Sequence, residues 1–166
     1  MASAITSGVL FVHAAPKAMC VHVQWALARV LGVPAPLDWA EQPAVPGFMR
    51  TEVAWQGRAG TGSQIVSAMH GWDHLRFEVT EDPSHGGDGS RWSYTPSLGI
   101  YHTHTDTHGN IVVPEERIRK ALEFSYDAYR MRHELDLALG TAWDNELEPF
   151  RYAGDGAPVR WLHRVG

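Results

Sequence analysis

The chain has 166 residues, a length that suits a single domain with its own hydrophobic core. Its net charge of −5 and its lack of any basic run exclude a surface that follows a nucleic-acid backbone. No segment reaches the roughly 20 apolar residues of a membrane-spanning helix, and residues 1–7 lack the features of a signal peptide. With Cys20 as its only cysteine, the chain cannot form an internal disulfide, so we expect a cytoplasmic protein.

The first half of the chain predicts an alternating order of strands and helices. Residues 8–13 are apolar on both faces, which is typical of a buried strand. Residues 16–31 carry an apolar stripe at helical spacing, which Val21 and Trp25 widen. A short strand is predicted at residues 37–39 and an alternating, half-buried strand at residues 49–56. The turn at residues 57–63 leads into a second helix, and residues 75–79 alternate as a further strand.

This order of elements indicates the α+β class. Strand, helix, strand, strand, helix and strand make a ferredoxin-like βαββαβ core over residues 8–82, with an antiparallel sheet and both helices on one face. We interpret the whole chain, residues 1–166, as one domain built on this core.

The second half predicts additions to that core. Residues 84–90 have the composition of a flexible loop, and residues 97–105 and 110–113 form a hairpin that turns at His108 and Gly109. A helix opens at Pro114 and another ends at Gly140, so residues 91–140 hold the hairpin and helices. The remaining tail, residues 141–166, is too apolar to be free and must pack on its own domain or on a partner.

One candidate site is a histidine cluster at the end of the predicted hairpin strand. Because alternate residues of a strand face the same way, His102 and His104 share a face, and His108 follows in the turn. Two imidazoles with a third ligand can bind a transition metal, so this cluster could serve a metal-dependent enzyme or a metal-binding protein. The alternative is an exposed strand face followed by a polar turn, in which case the protein needs no cofactor.

A second candidate is the glycine-rich turn between a predicted strand and a predicted helix. Glycine lets the backbone approach an anion, and the free N–H groups of a helix N-terminus can bind one. Arg58, Gly60, Thr61 and Ser63 could therefore hold a phosphate or a coenzyme. The turn lacks the lysine of a nucleotide-binding loop, and the alternative is a tight turn in which Thr61 or Ser63 caps the helix.

The third candidate is the C-terminal tail, where aromatic residues alternate with arginines. This composition is typical of the residues that dominate protein interfaces. The candidate partner-binding residues are Phe150, Arg151, Tyr152, Arg160 and Trp161. In the alternative interpretation the same segment covers the sheet of its own domain. No nucleophile-elbow motif and no paired carboxylates in an evident cleft are present, so no catalytic residue is assigned.

Several stretches of the chain resemble a known family. GVLFVHAAPKAMCVHVQWAL, LDWAEQP, GRAGTGS, LRFEVTEDP and ELEPFRYAGDGAPVRWLH are similar to the actinobacterial proteins grouped as domain of unknown function 3145. The resemblance spans nearly the whole chain, and the family brings no catalytic residues to carry over. It does imply a genomic neighbourhood of fatty-acid synthesis, and hence a role around acyl-carrier or acyl-CoA chemistry.

Three functions follow as hypotheses. The favoured one is a non-catalytic accessory or regulatory subunit that binds a larger enzyme, which the resemblance places in fatty-acid synthesis or acyl-CoA carboxylation. The many tryptophans, the arginine-bearing tail and the lack of a coherent catalytic set favour it. The alternatives are the metal-dependent protein centred on His102, His104 and His108, and a sensor of a phosphorylated coenzyme at residues 58–63.

Overall fold

The computed structural model describes residues 4–153, which form one antiparallel sheet with helices on both faces. The strand order is β2-β3-β1-β4-β5-β6-β7. The strands are β1 (Ile5–Pro16), β2 (Ala40–Glu41), β3 (Phe48–Arg58), β4 (Arg76–Glu81), β5 (Gly89–Thr95), β6 (Gly99–Thr105) and β7 (Ile111–Val112). The helices are α1 (Cys20–Leu31), α2 (Thr61–Met69), α3 (Glu115–Leu122), α4 (Ala128–Leu139) and α5 (Thr141–Tyr152). This arrangement confirms the predicted α+β class.

Helices α1 and α2 cover one face of the sheet and bury the main hydrophobic core. Val23 and Leu27 of α1 and Ile65 of α2 pack there with Leu10 of β1 and Phe77 of β4. The apolar positions of each helix recur at spacings of three and four residues, so they fall on the side that faces the sheet. Gly32 ends α1 in a left-handed conformation at φ 70°, as its sequence position predicts.

Helix α5 packs on the opposite face of the sheet. Glu78 lies between Phe77 and Val79 on β4, and because successive side chains of a strand alternate, it points away from the α1–α2 core. Arg151 of α5 reaches Glu78 on that face, and Leu147, one helical turn earlier, is fully buried. The sheet is therefore buried on both faces near its centre.

Two elements of this arrangement were not predicted, and one strand was misplaced. Neither β5 nor α5 was recognised in the sequence. The strand expected at residues 37–39 is absent: pairing begins at Ala40 and Glu41. The backbone N–H of Leu37 instead donates to the Gln24 side chain, and the Asp38 carbonyl accepts from the Thr51 hydroxyl, so side chains satisfy these groups in place of a strand partner.

Candidate functional site

A cluster of buried charged side chains lies between α5 and the sheet. The Glu78 carboxylate accepts hydrogen bonds from Arg151 Nη2 at 2.6 Å and Arg151 Nε at 3.1 Å. It also lies 2.6 Å from His13 Nε2 and accepts from Ser93 Oγ at 3.0 Å. Glu78 and His13 are fully buried and Arg151 is 1% exposed. These residues come from β1, β4, β5 and α5, so the cluster joins the helix to three strands.

The local environment fixes the charges in this cluster. Burial opposes ionisation of Glu78, but the hydrogen bond from His13 and the charge of Arg151 outweigh it and hold the pKa of Glu78 far below its usual value. For His13 burial is the dominant effect and lowers the pKa, against the raising effect of Glu78. The cluster thus holds an ionised Glu78–Arg151 pair, with His13 Nε2 at hydrogen-bond distance from the carboxylate.

A second layer extends the cluster along α5. Asp144 Oδ1 lies 2.9 Å from Arg151 Nη2 and 2.9 Å from Arg91 Nη2, so one carboxylate bridges two guanidinium groups. Gln42 Nε2 donates to the carbonyl oxygens of His13 at 2.7 Å and Phe150 at 3.1 Å. These contacts hold both ends of α5 on the sheet.

The pairing register of β1 shifts at this cluster. Between Val12 and Ala15 its register against β3 is irregular, and His13 lies inside that bulge. A bulge redirects side chains, and here His13 Nε2 meets Glu78, while no described residue hydrogen-bonds to His13 Nδ1. Because Glu78, His13 and Arg151 are sealed from solvent, their contacts stabilise the packing of α5 on the sheet.

These contacts place three of the predicted tail residues. Arg151 is part of the buried cluster, and the Arg76 guanidinium lies 4.5 Å from the centre of the Phe150 ring. For both residues the segment therefore covers its own domain. Tyr152 is exposed. Arg160 and Trp161 lie outside the described residues.

The N-terminus of α2, predicted to bind an anion, already holds one from the same chain. The Glu81 carboxylate accepts hydrogen bonds from the backbone N–H groups of Gly60 and Gly62, both at 2.7 Å. Gly60 has φ 95°, a conformation that glycine adopts without strain. Thr61 is buried, whereas Arg58 and Ser63 are exposed beside this cap. Two of the helix-end donors are thus satisfied by Glu81, a residue that the sequence argument did not include.

The histidine cluster is only partly brought together. His102 and His104 share one face of β6, as predicted, with ring centres 5.1 Å apart. His102 stacks on Trp92, and its Nε2 lies 3.2 Å from Ser90 Oγ. His108 lies beyond the strand, in a turn whose backbone donates to Asp106. Within residues 4–153 no three His, Cys, Asp or Glu side chains are grouped closely enough to hold a metal ion.

An exposed aromatic groove runs between α1 and α2 on the side away from the sheet. It has a volume of about 260 Å³ and is lined by His22, Trp25, Ala26, Arg29, Ala68 and Trp72. Trp25 is 61% exposed, and the His22 ring meets it edge-on at 5.4 Å between centres. Arg29 lies one helical turn after Trp25 and is also exposed.

Sequence reasoning missed this groove because it assigned Trp25 and Val21 to the buried stripe of α1. Both are exposed, whereas Val23 and Leu27 are buried. A signal was present: the apolar positions of α1 extend around more of the helix than one face can bury. An apolar stripe of that width leaves large side chains for a second surface.

The sequence of residues 9–164 matches the family model described as Protein of unknown function (DUF3145). The chain belongs to this family. The matched range includes the buried cluster, the Glu81 cap and the aromatic groove of the DUF3145 fold. No curated protein and no solved structure matches the chain. Within residues 4–153, no helix is both long and apolar enough to cross a membrane.

Proposed function

We propose that this protein is a non-catalytic accessory or regulatory subunit that binds a larger enzyme through the aromatic groove between α1 and α2. The observation that carries the proposal is Trp25, which is 61% exposed beside the half-buried Trp72. Tryptophan and arginine are the residues most enriched among those that dominate binding energy, and here Arg29 lies next to Trp25. A tryptophan exposed to this degree gains apolar burial when a partner covers it.

The state of the other candidate groups supports a binding role over a catalytic one. Glu78, His13 and Arg151 satisfy one another out of reach of solvent. Glu81 occupies two of the helix-end donors that a phosphate could use, the N–H groups of Gly60 and Gly62. The groove differs from these sites because its polar groups, His22 and Arg29, have no charged partner among the described residues.

The family resemblance supports a finer proposal about the partner. An enzyme of fatty-acid synthesis or acyl-CoA carboxylation in the cytoplasm is the first partner to test. The sheet order β2-β3-β1-β4, with α1 and α2 on one face, favours a ferredoxin-like core to which the later strands and helices were added. Tyr152, Arg160 and Trp161 remain predicted contributors to the same interaction, from the tail.

The test is native co-purification from the source organism with an N-terminally tagged, full-length chain. We expect a larger enzyme to co-elute in fixed stoichiometry with the wild type, and to be lost with Trp25→Ala. Truncating a residue that dominates an interface costs at least about 2 kcal/mol, roughly a thirtyfold loss of affinity.

The matched control is Tyr129→Ala, which removes an aromatic side chain that is 83% exposed on α4, away from the groove. It should keep the partner. If the wild type elutes alone, or if Trp25→Ala retains every protein that the wild type retains, the groove is not the binding site and the proposal fails.

A further inference from the structure

We propose that the partner segment bound by the aromatic groove is acidic and apolar: one large hydrophobic side chain inserts between Trp25 and Trp72, and neighbouring carboxylates pair with Arg29 and His22. This inference rests on the proposed function and adds the chemistry of the partner. It follows from the distribution of charge around the groove and from the shape of the groove.

The two helices that form the groove carry no carboxylate. The chain has 19 Asp and Glu residues and a net charge of −5, yet α1 and α2 contain neither residue type. Among the described residues, the exposed charged or histidine side chains on or next to these helices include Lys17 just before α1, His22 and Arg29 on α1, and His70, Asp73 and His74 after α2. Asp73 is the nearest acid to the groove in sequence, and it directly follows Trp72 in the turn after α2.

Arg29 is the strongest element of this charge pattern. It lines the groove and is exposed, and its guanidinium makes no ion pair or hydrogen bond within the described residues. By contrast, the exposed Arg119 on α3 pairs with Glu115, and Arg132 on α4 pairs with Asp136. An unpaired cation beside two tryptophans attracts a carboxylate and repels a basic segment, so it selects the partner's charge.

The shape of the groove favours a protein segment over a lipid surface. The groove is a recess of about 260 Å³ between two helices, which can receive a side chain of a partner helix. Adsorption to an anionic membrane needs several lysines or arginines on one face, at about 1 kcal/mol each. Within residues 4–153, this face offers only Lys17 and Arg29 beside its histidines.

The experiment uses the full-length chain and two synthetic amphipathic helical peptides. Both peptides carry the same leucine face, and their polar faces carry either glutamate or lysine. Binding is followed by the NMR signals of the indole N–H groups, assigned with Trp25→Ala and Trp72→Ala. We expect the glutamate peptide to shift the Trp25 and Trp72 signals and to bind at least about tenfold more tightly than the lysine peptide at 50 mM salt. The difference should shrink at 500 mM salt, because salt screens exposed charges.

Arg29→Glu should abolish the preference for the glutamate peptide, and Arg29→Lys should retain it. Arg117→Glu, which makes the same change of net charge at an exposed position on α3, should leave the preference intact. Once the co-purified enzyme is identified, its binding should be lost with Arg29→Glu and kept with Arg29→Lys and Arg117→Glu.

The outcomes separate this inference from the proposed function. If Trp25→Ala loses the co-purified enzyme but Arg29→Glu does not, the groove binds a partner whose acidity does not matter. The proposed function then stands, and the inference about an acidic partner is overturned. Equal or tighter binding of the lysine peptide likewise overturns it. If vesicles of phosphatidylglycerol shift the two tryptophan signals and neither peptide does, the groove recognises a lipid surface, and both proposals are overturned.

Discussion

The buried cluster under α5 and the aromatic groove outside the α1–α2 layer each contain a histidine and an arginine, in opposite states. On the α5 side, His13, Arg151 and Glu78 are buried and pair with one another. On the far side of the α1–α2 layer, His22, Arg29 and Trp25 are exposed, and no described residue pairs with the arginine. The presence of a histidine, an arginine and a large side chain is therefore not by itself evidence of a binding site. The deciding observation is whether other residues of the chain bury these side chains and pair with their charged groups.

The buried cluster and the exposed groove should therefore respond differently to mutation. A buried charge that loses its partner keeps the cost of its desolvation, so changes in the cluster should affect stability. An exposed tryptophan contributes little to the free energy of unfolding, so changes in the groove should affect binding alone.

The largest effect should come from Arg151→Met. The substitution introduces an apolar side chain of similar length and leaves the ionised Glu78 without its two hydrogen bonds from the guanidinium. Breaking a buried pair by removing one partner costs about 3–5 kcal/mol. Urea unfolding should show this loss as a lower midpoint.

The double variant Glu78→Gln with Arg151→Met is the matched control, because it removes both charges. It should be less destabilised than the sum of the two single variants. A loss of less than about 1 kcal/mol for Arg151→Met alone would mean that His13 and Arg91 already compensate Glu78, and the cluster would not be what holds α5.

The second-largest effect should be a pH dependence of the free energy of unfolding that originates at His13. Burial lowers the pKa of His13 in the folded state, so the unfolded chain takes up the proton first as the pH falls. The stability contribution of the neutral imidazole is complete above the unfolded pKa of about 6.5, and it decreases below that value by up to about 1.4 kcal/mol per pH unit. Urea unfolding at several pH values between 7.5 and 5 should show this slope.

His13→Gln should flatten the slope, because an amide can still donate to Glu78 without titrating. His102→Gln is the control: burial also lowers the pKa of His102, but this side chain is exposed on β6 and should contribute less. The Glu78 carboxylate cannot produce the slope. Its pKa lies far below the usual value, so its contribution is lost only below the ordinary glutamate pKa of about 4.3. An unchanged slope in His13→Gln would assign the effect to other histidines.

A smaller effect is expected from Glu81→Gln at the N-terminus of α2. The amide can accept a hydrogen bond but carries no charge to interact with the helix dipole, so the free energy of unfolding should fall by about 1 kcal/mol. Glu123→Gln, an exposed position after α3, is the matched control and should change stability by less than about 0.5 kcal/mol.

Glu81→Gln also tests whether the helix end is available to an external anion. Removal of the internal carboxylate leaves the N–H groups of Gly60 and Gly62 without their ionic partner. Phosphate should therefore stabilise this variant more than the wild type in thermal unfolding. Equal stabilisation of both would show that Glu81 does not compete with phosphate.

Local periodicity was sufficient to predict much of the fold but not the cluster. Helices α1 and α2 have apolar residues at a regular spacing, β1 contains a continuous apolar run, and the hairpin of β6 and β7 has a recognisable turn. Glu78 and Arg151 lie 73 positions apart, and no local pattern links two residues at that separation.

The two missed elements have the same physical origin. In β5 the residues that face α5 are Arg91, Ser93 and Thr95, which are polar yet buried, so the strand does not resemble one with an apolar core face. Helix α5 contains Pro149 and buries Leu147 and Arg151 alone, so its pattern is too weak to detect. Both elements depend on the pairing of charges across the interface between them, and that pairing exists only in the folded chain.

The smallest effect on stability should come from Trp25→Ala. Because this side chain is 61% exposed, truncating it should change the free energy of unfolding by less than about 0.5 kcal/mol. Trp55→Ala is the matched comparison on β3, where the tryptophan is 4% exposed and packs in the core; there the loss should reach about 3–5 kcal/mol. Unfolding of both variants in guanidinium chloride measures the two stability losses. A stability loss above about 2 kcal/mol for Trp25→Ala would mean that this side chain serves the fold, and its exposure would then no longer favour a partner.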